Sequence, residues 1–77
     1  MVKKLSECIV GERGEVTAVR GEGRMRRRLF DMGVTPSAQV TMKKRAPLGD
    51  PIEVTLRGYE LTLRKAEAAC VDVEIEG

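Results

Sequence analysis

The sequence predicts an all-β protein with a minor helical part: a small, closed or nearly closed barrel of about five short strands. Three observations lead to this prediction. Residues 52–63 contain two apolar-alternating runs around a glycine, further short runs are separated by turns rich in Gly or Pro, and 77 residues leave room for one small core. Residues 1–77 are therefore predicted to form a single domain.

The clearest element is a β-hairpin over residues 52–63. If Arg57 and Gly58 form a tight turn, large apolar residues oppose one another in three pairs: Ile52 with Leu63, Val54 with Leu61, and Leu56 with Tyr59. The intervening Glu and Thr residues then share the other face, and a slip of one residue would mix the two sets. Gly58 is predicted to supply the positive φ of the turn. Tyr59 faces the apolar side, with its hydroxyl expected at the rim.

The best helical pattern spans residues 24–32. Met25, Leu29 and Met32 recur at positions i, i+4 and i+7, which predicts a narrow apolar stripe toward the core. Gly33 follows as the predicted left-handed cap of the helix C-terminus. Residues 65–69 are good helix formers and predict one further helical turn.

Shorter runs predict the remaining strands. Their core-facing residues are apolar at alternating or nearly alternating positions: Val16 and Val19, Val40 and Met42, and Val71, Val73 and Ile75. In the last run, the acidic residues in between are assigned to the solvent face. The segment Gly21-Glu22-Gly23 begins like a phosphate-binding loop, but Arg26 stands in the place of the third glycine, so a turn is predicted.

Composition favours a soluble cytoplasmic protein. The sequence is 42% apolar and 34% charged, as is usual for globular chains. No apolar run exceeds four residues, so membrane insertion is not expected, and the N-terminus lacks the apolar stretch of a secretory signal. Cys8 and Cys70 are far apart in the sequence, so both are expected to be buried thiols without a disulfide or a zinc ion.

Two stretches of the sequence resemble the FeoA family. Residues 27–33 read RRLFDMG, a short helix ended by glycine, and residues 46–68 read APLGDPIEVTLRGYELTLRKAEA after a Pro-containing turn and a strand. The opening LSECIVGERGEV is also similar to the start of that family, and the resemblance runs nearly end to end. Ser37 departs from the family pattern, in which many relatives have glycine after the turn proline.

The resemblance implies an SH3-like barrel and a non-enzymatic role in bacterial ferrous iron uptake. The family consists of small cytosolic accessory proteins associated with FeoB, a membrane permease that carries a cytosolic GTP-binding domain. This chain is then expected to dock on the cytosolic side of the permease and to modulate transport. It would be held at the inner membrane through that partner.

Enzyme chemistry is not expected. The chain contains no histidine, so no side chain has an ordinary pKa near neutrality, and neither serine has an evident activating partner. No catalytic residue and no cofactor are predicted. No spacing gathers the Cys, Asp and Glu residues into a dedicated iron site, which leaves only adventitious divalent metal binding.

A cluster of arginines around Phe30 is the first candidate for partner binding. On a helical wheel, Phe30 points away from the core stripe and is flanked by Arg26 and Arg27. Two interpretations stay open. Either Phe30 is tucked under a neighbouring loop and the arginines are solvated, or the three residues form an aromatic anchor with guanidinium groups around it.

The loop from Pro47 to Pro51 is the second candidate. Pro47, Gly49 and Pro51 are predicted to give this loop a fixed shape. Leu48 either plugs one end of the barrel or contacts a partner, because an apolar side chain in a polar loop is unfavourable unless covered. Asp50 is either part of the same contact or an acceptor for backbone amides of its own turn.

Three functions from other classes are alternatives. A nucleic-acid-binding barrel is not expected, since Phe30 and Tyr59 are the only aromatic residues and the net charge is +2. An adaptor for proline-rich peptides is disfavoured because the chain has no Trp. An interaction module related to the C-terminal domain of iron-dependent repressors is the remaining alternative, although the barrel begins at once and leaves no room for a DNA-binding helix pair.

Self-association through an exposed edge strand stays open.

Overall fold

The computed structural model describes residues 1–76, which form six strands, two short α-helices and a 3₁₀ turn (Leu5–Glu7). The strands are β1 (Val2–Lys4), β2 (Arg13–Val19), β3 (Gln39–Arg45), β4 (Ile52–Leu56), β5 (Tyr59–Leu63) and β6 (Val71–Ile75). The helices are α1 (Gly23–Asp31) and α2 (Lys65–Ala68). The predicted all-β class with a minor helical part is confirmed. Gly77, the last residue of the predicted domain, lies outside the described residues.

All six strands belong to one antiparallel sheet in the order β1-β6-β2-β3-β4-β5. The prediction of about five strands missed β1, because its sequence Val2-Lys3-Lys4 has no apolar alternation. This strand forms by pairing with β6, so the two ends of the chain lie side by side. Within the described residues, β1 and β5 are the edges of the sheet.

The predicted hairpin register is confirmed. Strands β4 and β5 pair Ile52 with Leu63, Val54 with Leu61, and Leu56 with Tyr59. Arg57 and Gly58 both have positive φ angles, 50° and 87°, which is the conformation of a type I′ turn. The Arg57 guanidinium also donates to the hydroxyl of Thr35 at 2.8 Å, a contact that holds the non-glycine turn residue against the neighbouring loop.

Sixteen apolar residues of the described part of the chain, residues 1–76, form a single core enclosed by the sheet and the helices. Val16 and Val19 are both buried although they are three positions apart, which strict alternation does not allow. A β-bulge between Val16 and Ala18 explains this, since it inserts one extra residue and turns Val19 back toward the core.

Helix α1 ends where the sequence predicts. The amide of Gly33 donates to the Phe30 carbonyl and the amide of Val34 donates to the Leu29 carbonyl, both at 2.9 Å, which together make a Schellman motif. Gly33 has φ +91°, as expected for this cap. Of the predicted stripe, Leu29 is fully buried, whereas Met25 and Met32 pack against the core but stay half-buried.

Tyr59 joins the hairpin to the end of α1. Its hydroxyl donates to the Met32 carbonyl, one of the carbonyls left without a partner in the helix. A Cβ atom placed on Gly33 would collide with this hydroxyl. Glycine at position 33 therefore serves both the helix cap and the close approach of Tyr59.

One acidic residue assigned to the solvent face is in fact buried. Asp72 of β6 is 9% exposed and forms an ion pair with Arg20, with the Nη2 atom at 2.7 Å and Nε at 2.8 Å from Oδ2. The expectation from alternation was wrong here because β6 lies inside the sheet, between β1 and β2, where Arg20 reaches across and covers its outer face.

Candidate partner-binding surface

The predicted patch around Phe30 contains two exposed arginines, of which Arg26 is engaged in internal contacts. Arg26 Nε donates to the Val19 carbonyl at 3.2 Å, and its guanidinium carbon lies 5.0 Å from the centroid of the Phe30 ring. Phe30 is half-buried against the core. Arg27 is exposed and makes no ion pair within residues 1–76. If a partner bound this patch, it would contact Arg27 directly, whereas the Arg26 guanidinium lies over the Phe30 ring as a cation–π pair.

The second predicted patch is a turn with its tip in solvent. Leu48 is 93% exposed, so the interpretation that it plugs the barrel is wrong. The turn is held by backbone hydrogen bonds from Gly49 to Ala46 at 2.7 Å and from Ala46 to Pro51 at 3.0 Å. Gly49 has φ +84°, which explains the glycine at this place. Leu48 is thus presented outward by a loop of fixed shape.

Asp50 connects this loop to helix α2. Its Oδ1 accepts a hydrogen bond from the amide of Lys65 at 2.9 Å. The acceptor role predicted for Asp50 exists, but the donor lies fifteen residues away and not in its own turn. A carboxylate at this position offsets the unpaired amides at the start of the helix. No hydrogen bond or ion pair among residues 1–76 joins the loop to the Phe30 patch.

A third surface was not predicted: a cleft between α1 and α2, here called the α1–α2 groove. Its volume is about 580 Å³, and mostly apolar atoms line it. The apolar part consists of Gly21, Met25, Ala66 and Cys70. The charged rim consists of Glu22, Arg24, Arg28, Arg64 and Glu67.

Glu67 fixes the geometry of the groove wall. The residue is 6% exposed, and its Oε1 accepts a hydrogen bond from the Arg64 amide at 2.9 Å, which caps the first turn of α2. Its Oε2 lies 3.2 Å from Arg28 Nε on α1. One buried carboxylate therefore links both helices, and its charge is compensated by groups on each side of the groove.

The two cysteines differ in their surroundings. Cys8 is 2% exposed, and burial raises the pKa of its thiol above the ordinary value. Cys70 is half-buried, and its Sγ lies 3.4 Å from the Met25 Sδ in the floor of the groove. Both thiols are free. The expectation of two buried thiols is correct for Cys8 but not for Cys70, because the groove opens beside it.

Candidate metal ligands are dispersed over the molecule. No group of three or more Cys, Asp or Glu side chains within residues 1–76 is arranged to hold an ion. Acidic residues are instead engaged one at a time, as in the pair of Lys3 with Glu12 at 2.7 Å. That hydrogen bond raises the pKa of Lys3, and it lowers the pKa of Glu12 together with the Ile9 amide. Neither α1 nor α2 has the length and apolar character that a membrane crossing requires.

Sequence reasoning missed the groove because its two walls are about forty residues apart in the chain. Met25 was assigned to the core stripe, and residues 65–69 were considered only as a helical turn. The spacing of Arg24 and Arg28, one helical turn apart on the same side of Met25, was the available signal. This spacing indicates a groove only together with the position of α2, which lies opposite α1 in the structure.

The family follows from comparison with known proteins. The model of the FeoA domain matches residues 3–75. The chain belongs to the FeoA family. A curated relative from Porphyromonas gingivalis, a fusion protein of Fe(2+) transport protein A and the Fe(2+) transporter FeoB, is 33% identical over 72 residues. That match covers 94% of this chain but only 8% of the relative, so the chain corresponds to a small part of the fusion protein.

Solved structures of FeoA proteins have the same fold. The solution structure of FeoA from Chlorobium tepidum is 47% identical, with a TM-score of 0.88, and the match covers 97% of this chain and 71% of that one. FeoA from Stenotrophomonas maltophilia, a procaryotic SH3 domain protein in complex with zinc, is 26% identical with a TM-score of 0.77. That match covers 99% of this chain and 89% of that one. The predicted SH3-like barrel and the membership in a ferrous iron transport family are confirmed.

Proposed function

We propose that this FeoA-family chain is a non-enzymatic accessory protein of bacterial ferrous iron uptake, which docks on the cytosolic side of a FeoB-type permease and modulates transport. The observation that carries the proposal is the Porphyromonas gingivalis relative, in which a segment similar to 94% of this chain is joined to the transporter FeoB. Joining two modules keeps each at high effective concentration near the other. Such a fusion is useful where the separate proteins act by contact.

Modulation of transport requires more than docking. A bound protein shifts a conformational equilibrium only if its affinity differs between the two states of the permease. In this proposal, the chain acts from the cytoplasm and is held at the inner membrane by its partner. The absence of histidine from the sequence and the dispersal of carboxylates over residues 1–76 support a role through binding, without catalysis and without a resident metal or cofactor.

Co-purification from membranes containing the permease tests the docking. The tagged chain is expected to retain the permease. The control is an unrelated SH3-like barrel of the same size, which is expected to retain none. Capture of no permease at low and at physiological salt would contradict the proposal. Hydrolysis of GTP by the permease domain, with and without the chain, then tests whether modulation passes through the nucleotide site; an unchanged rate would remove that route.

The two predicted patches provide probes in the same experiment. Leu48→Glu removes the exposed apolar tip without touching the core, so an effect on capture would assign the loop to the interface. Arg27→Glu does the same for the exposed arginine of the Phe30 patch. Phe30→Ala is less useful, because Phe30 packs against the core and its removal is expected to destabilise the fold as well.

A repressor-like interaction module is the second candidate. A manganese-dependent transcriptional repressor in complex with manganese matches with a TM-score of 0.91, over 97% of this chain and 37% of that one. At 19% identity this similarity concerns the fold alone. Binding of a DNA-binding protein in place of the permease, or tight binding of nucleic acid at physiological salt, would favour this candidate.

A further inference from the structure

We infer that the α1–α2 groove is the docking site for a partner segment in which an apolar side chain is flanked by carboxylates. The inference deepens the proposed function and rests on it, since the permease supplies the partner. It places the interface on the side of α1 that carries Arg24 and Arg28. The Phe30 patch lies on another side of the same helix.

The groove has the size and lining of a binding site. A volume of about 580 Å³ lies within the usual range of about 300 to 1,000 Å³ for ligand pockets. The hollow exists because small residues line it. A Cβ atom on Gly21 would lie 3.2 Å from the Sγ of Cys70 and 3.7 Å from the Sδ of Met25, so a larger residue at position 21 would fill the floor.

The floor suits an aliphatic or aromatic side chain. Met25 is flexible and polarisable, so it adapts to the shape of an inserted group. Cys70 and Ala66 add apolar surface and leave space beside Met25. Among the described residues, no aromatic side chain lines the groove, which therefore offers no platform for stacking a nucleobase. An apolar protein side chain is the occupant that this surface favours.

The rim specifies the charge of the occupant. Arg24 and Arg64 are exposed and make no ion pair within residues 1–76, so both guanidinium groups are available on opposite walls. Glu67 is buried and already bonded to Arg28 and to the Arg64 amide, which leaves Glu22 as the exposed acidic residue of the rim. Guanidinium groups bind carboxylates through paired hydrogen bonds. A segment with acidic residues around its apolar anchor complements this arrangement.

The test compares two charge reversals on one helix. Arg24→Glu changes the groove rim, whereas Arg27→Glu makes the same change on the same helix outside the groove lining. Both residues are exposed, and neither has an ion pair to lose within residues 1–76. A glutamate in the first turn of α1 is favourable to the helix dipole, so Arg24→Glu is expected to fold normally. Ala66→Trp, at an exposed position of α2, fills the groove by volume.

Capture of the permease from membranes is the readout, with the urea unfolding midpoint as the check of folding. Arg24→Glu and Ala66→Trp are each expected to weaken capture at least tenfold, while Arg27→Glu stays within twofold of the wild type. If the wild type captures the permease and the groove variants capture it equally well, the groove inference is wrong and the proposed function stands. A loss with Arg27→Glu alone would overturn it in favour of the Phe30 patch.

Two further outcomes would overturn the groove inference for other reasons. If the wild type captures no permease, the proposed function fails and the groove inference falls with it. If a fluorescent single-stranded RNA binds the wild type tightly at physiological salt and loses affinity with Arg24→Glu, the groove is a nucleic-acid site and the inference of an acidic protein segment is overturned.

Discussion

The contact between Gly33 and Tyr59 supports a quantitative prediction about stability. Replacing Gly33 by alanine has two separable consequences. The new residue must adopt φ +91°, and its Cβ must occupy space now held by the Tyr59 hydroxyl. The other neighbours are not obstacles, because Leu56 Cδ2 and Tyr59 Cζ would lie at ordinary contact distances of 3.6 and 3.7 Å.

The two consequences have similar sizes. A left-handed backbone costs an L-residue about 1–2 kcal/mol. Displacing the hydroxyl breaks its hydrogen bond to the Met32 carbonyl, for about another 1 kcal/mol. Gly33→Ala is therefore expected to lower the free energy of unfolding by about 2–3 kcal/mol. Tyr59→Phe alone should cost about 1 kcal/mol, since it loses only the hydrogen bond.

The double mutant separates the two terms. With phenylalanine at position 59 there is no hydroxyl to collide with, so Gly33→Ala should then cost only its backbone term. The losses in free energy of unfolding of the two single mutants are expected to add up to about 1 kcal/mol more than the loss in the double mutant, because the two residues are in contact. Urea unfolding followed by far-ultraviolet circular dichroism measures all four proteins. Strictly additive losses would refute the proposed collision, and an unchanged stability of Gly33→Ala would refute the whole account of this cap.

Three further predictions follow from single contacts. Glu67→Ala is expected to destabilise the fold by about 2–3 kcal/mol, because it uncaps α2 and leaves its arginine partner on α1 unpaired. Glu67→Gln should cost less, since an amide oxygen still caps the helix, and thermal unfolding of both variants checks which is less stable. N-Ethylmaleimide should modify half-buried Cys70 much faster than Cys8, whose thiol is buried and has a raised pKa. Equal modification rates of the two thiols, followed by intact-mass spectrometry, would contradict the burial of Cys8. The hydrogen bond to Lys3 lowers the pKa of Glu12 below its ordinary value, so its stabilising effect is complete above the unfolded-state pKa and is lost as the pH falls through the folded-state value. Glu12→Gln should therefore reduce the dependence of the urea unfolding midpoint on pH in the acidic range, and an unaltered pH profile would argue against the pair.

The sequence allowed prediction of the elements whose pattern is local. The hairpin of β4 and β5 was predicted in its register because alternation on both strands and one glycine turn define it within twelve residues. The end of α1 was predicted for the same reason, since Gly33 follows an apolar stripe. Strand β1 was not, because Val2-Lys3-Lys4 becomes a strand only through pairing with a segment about seventy residues away.

The binding surface was harder to predict than the fold. Arg26 and Arg27 look equivalent in the sequence and both are exposed, yet the backbone of β2 and the ring of Phe30 engage only Arg26. The sequence is compatible with Leu48 in the core, but the conformation of its loop leaves the side chain in solvent. Which side chains are committed to internal contacts depends on neighbours distant in the chain, and periodicity carries no information about them.

Fold similarity by itself cannot choose among the candidate partners. The repressor domain and this chain share one architecture at 19% identity, so the enclosed core is compatible with very different surfaces. Discrimination must therefore come from exposed side chains. Arg24 and Arg64 are dispensable for the core, since both are exposed and unpaired within residues 1–76, and yet they stand on facing walls of an apolar hollow. Because guanidinium groups bind carboxylates through paired hydrogen bonds, the acidic partner proposed for the groove would be selected by side chains that the fold itself does not require.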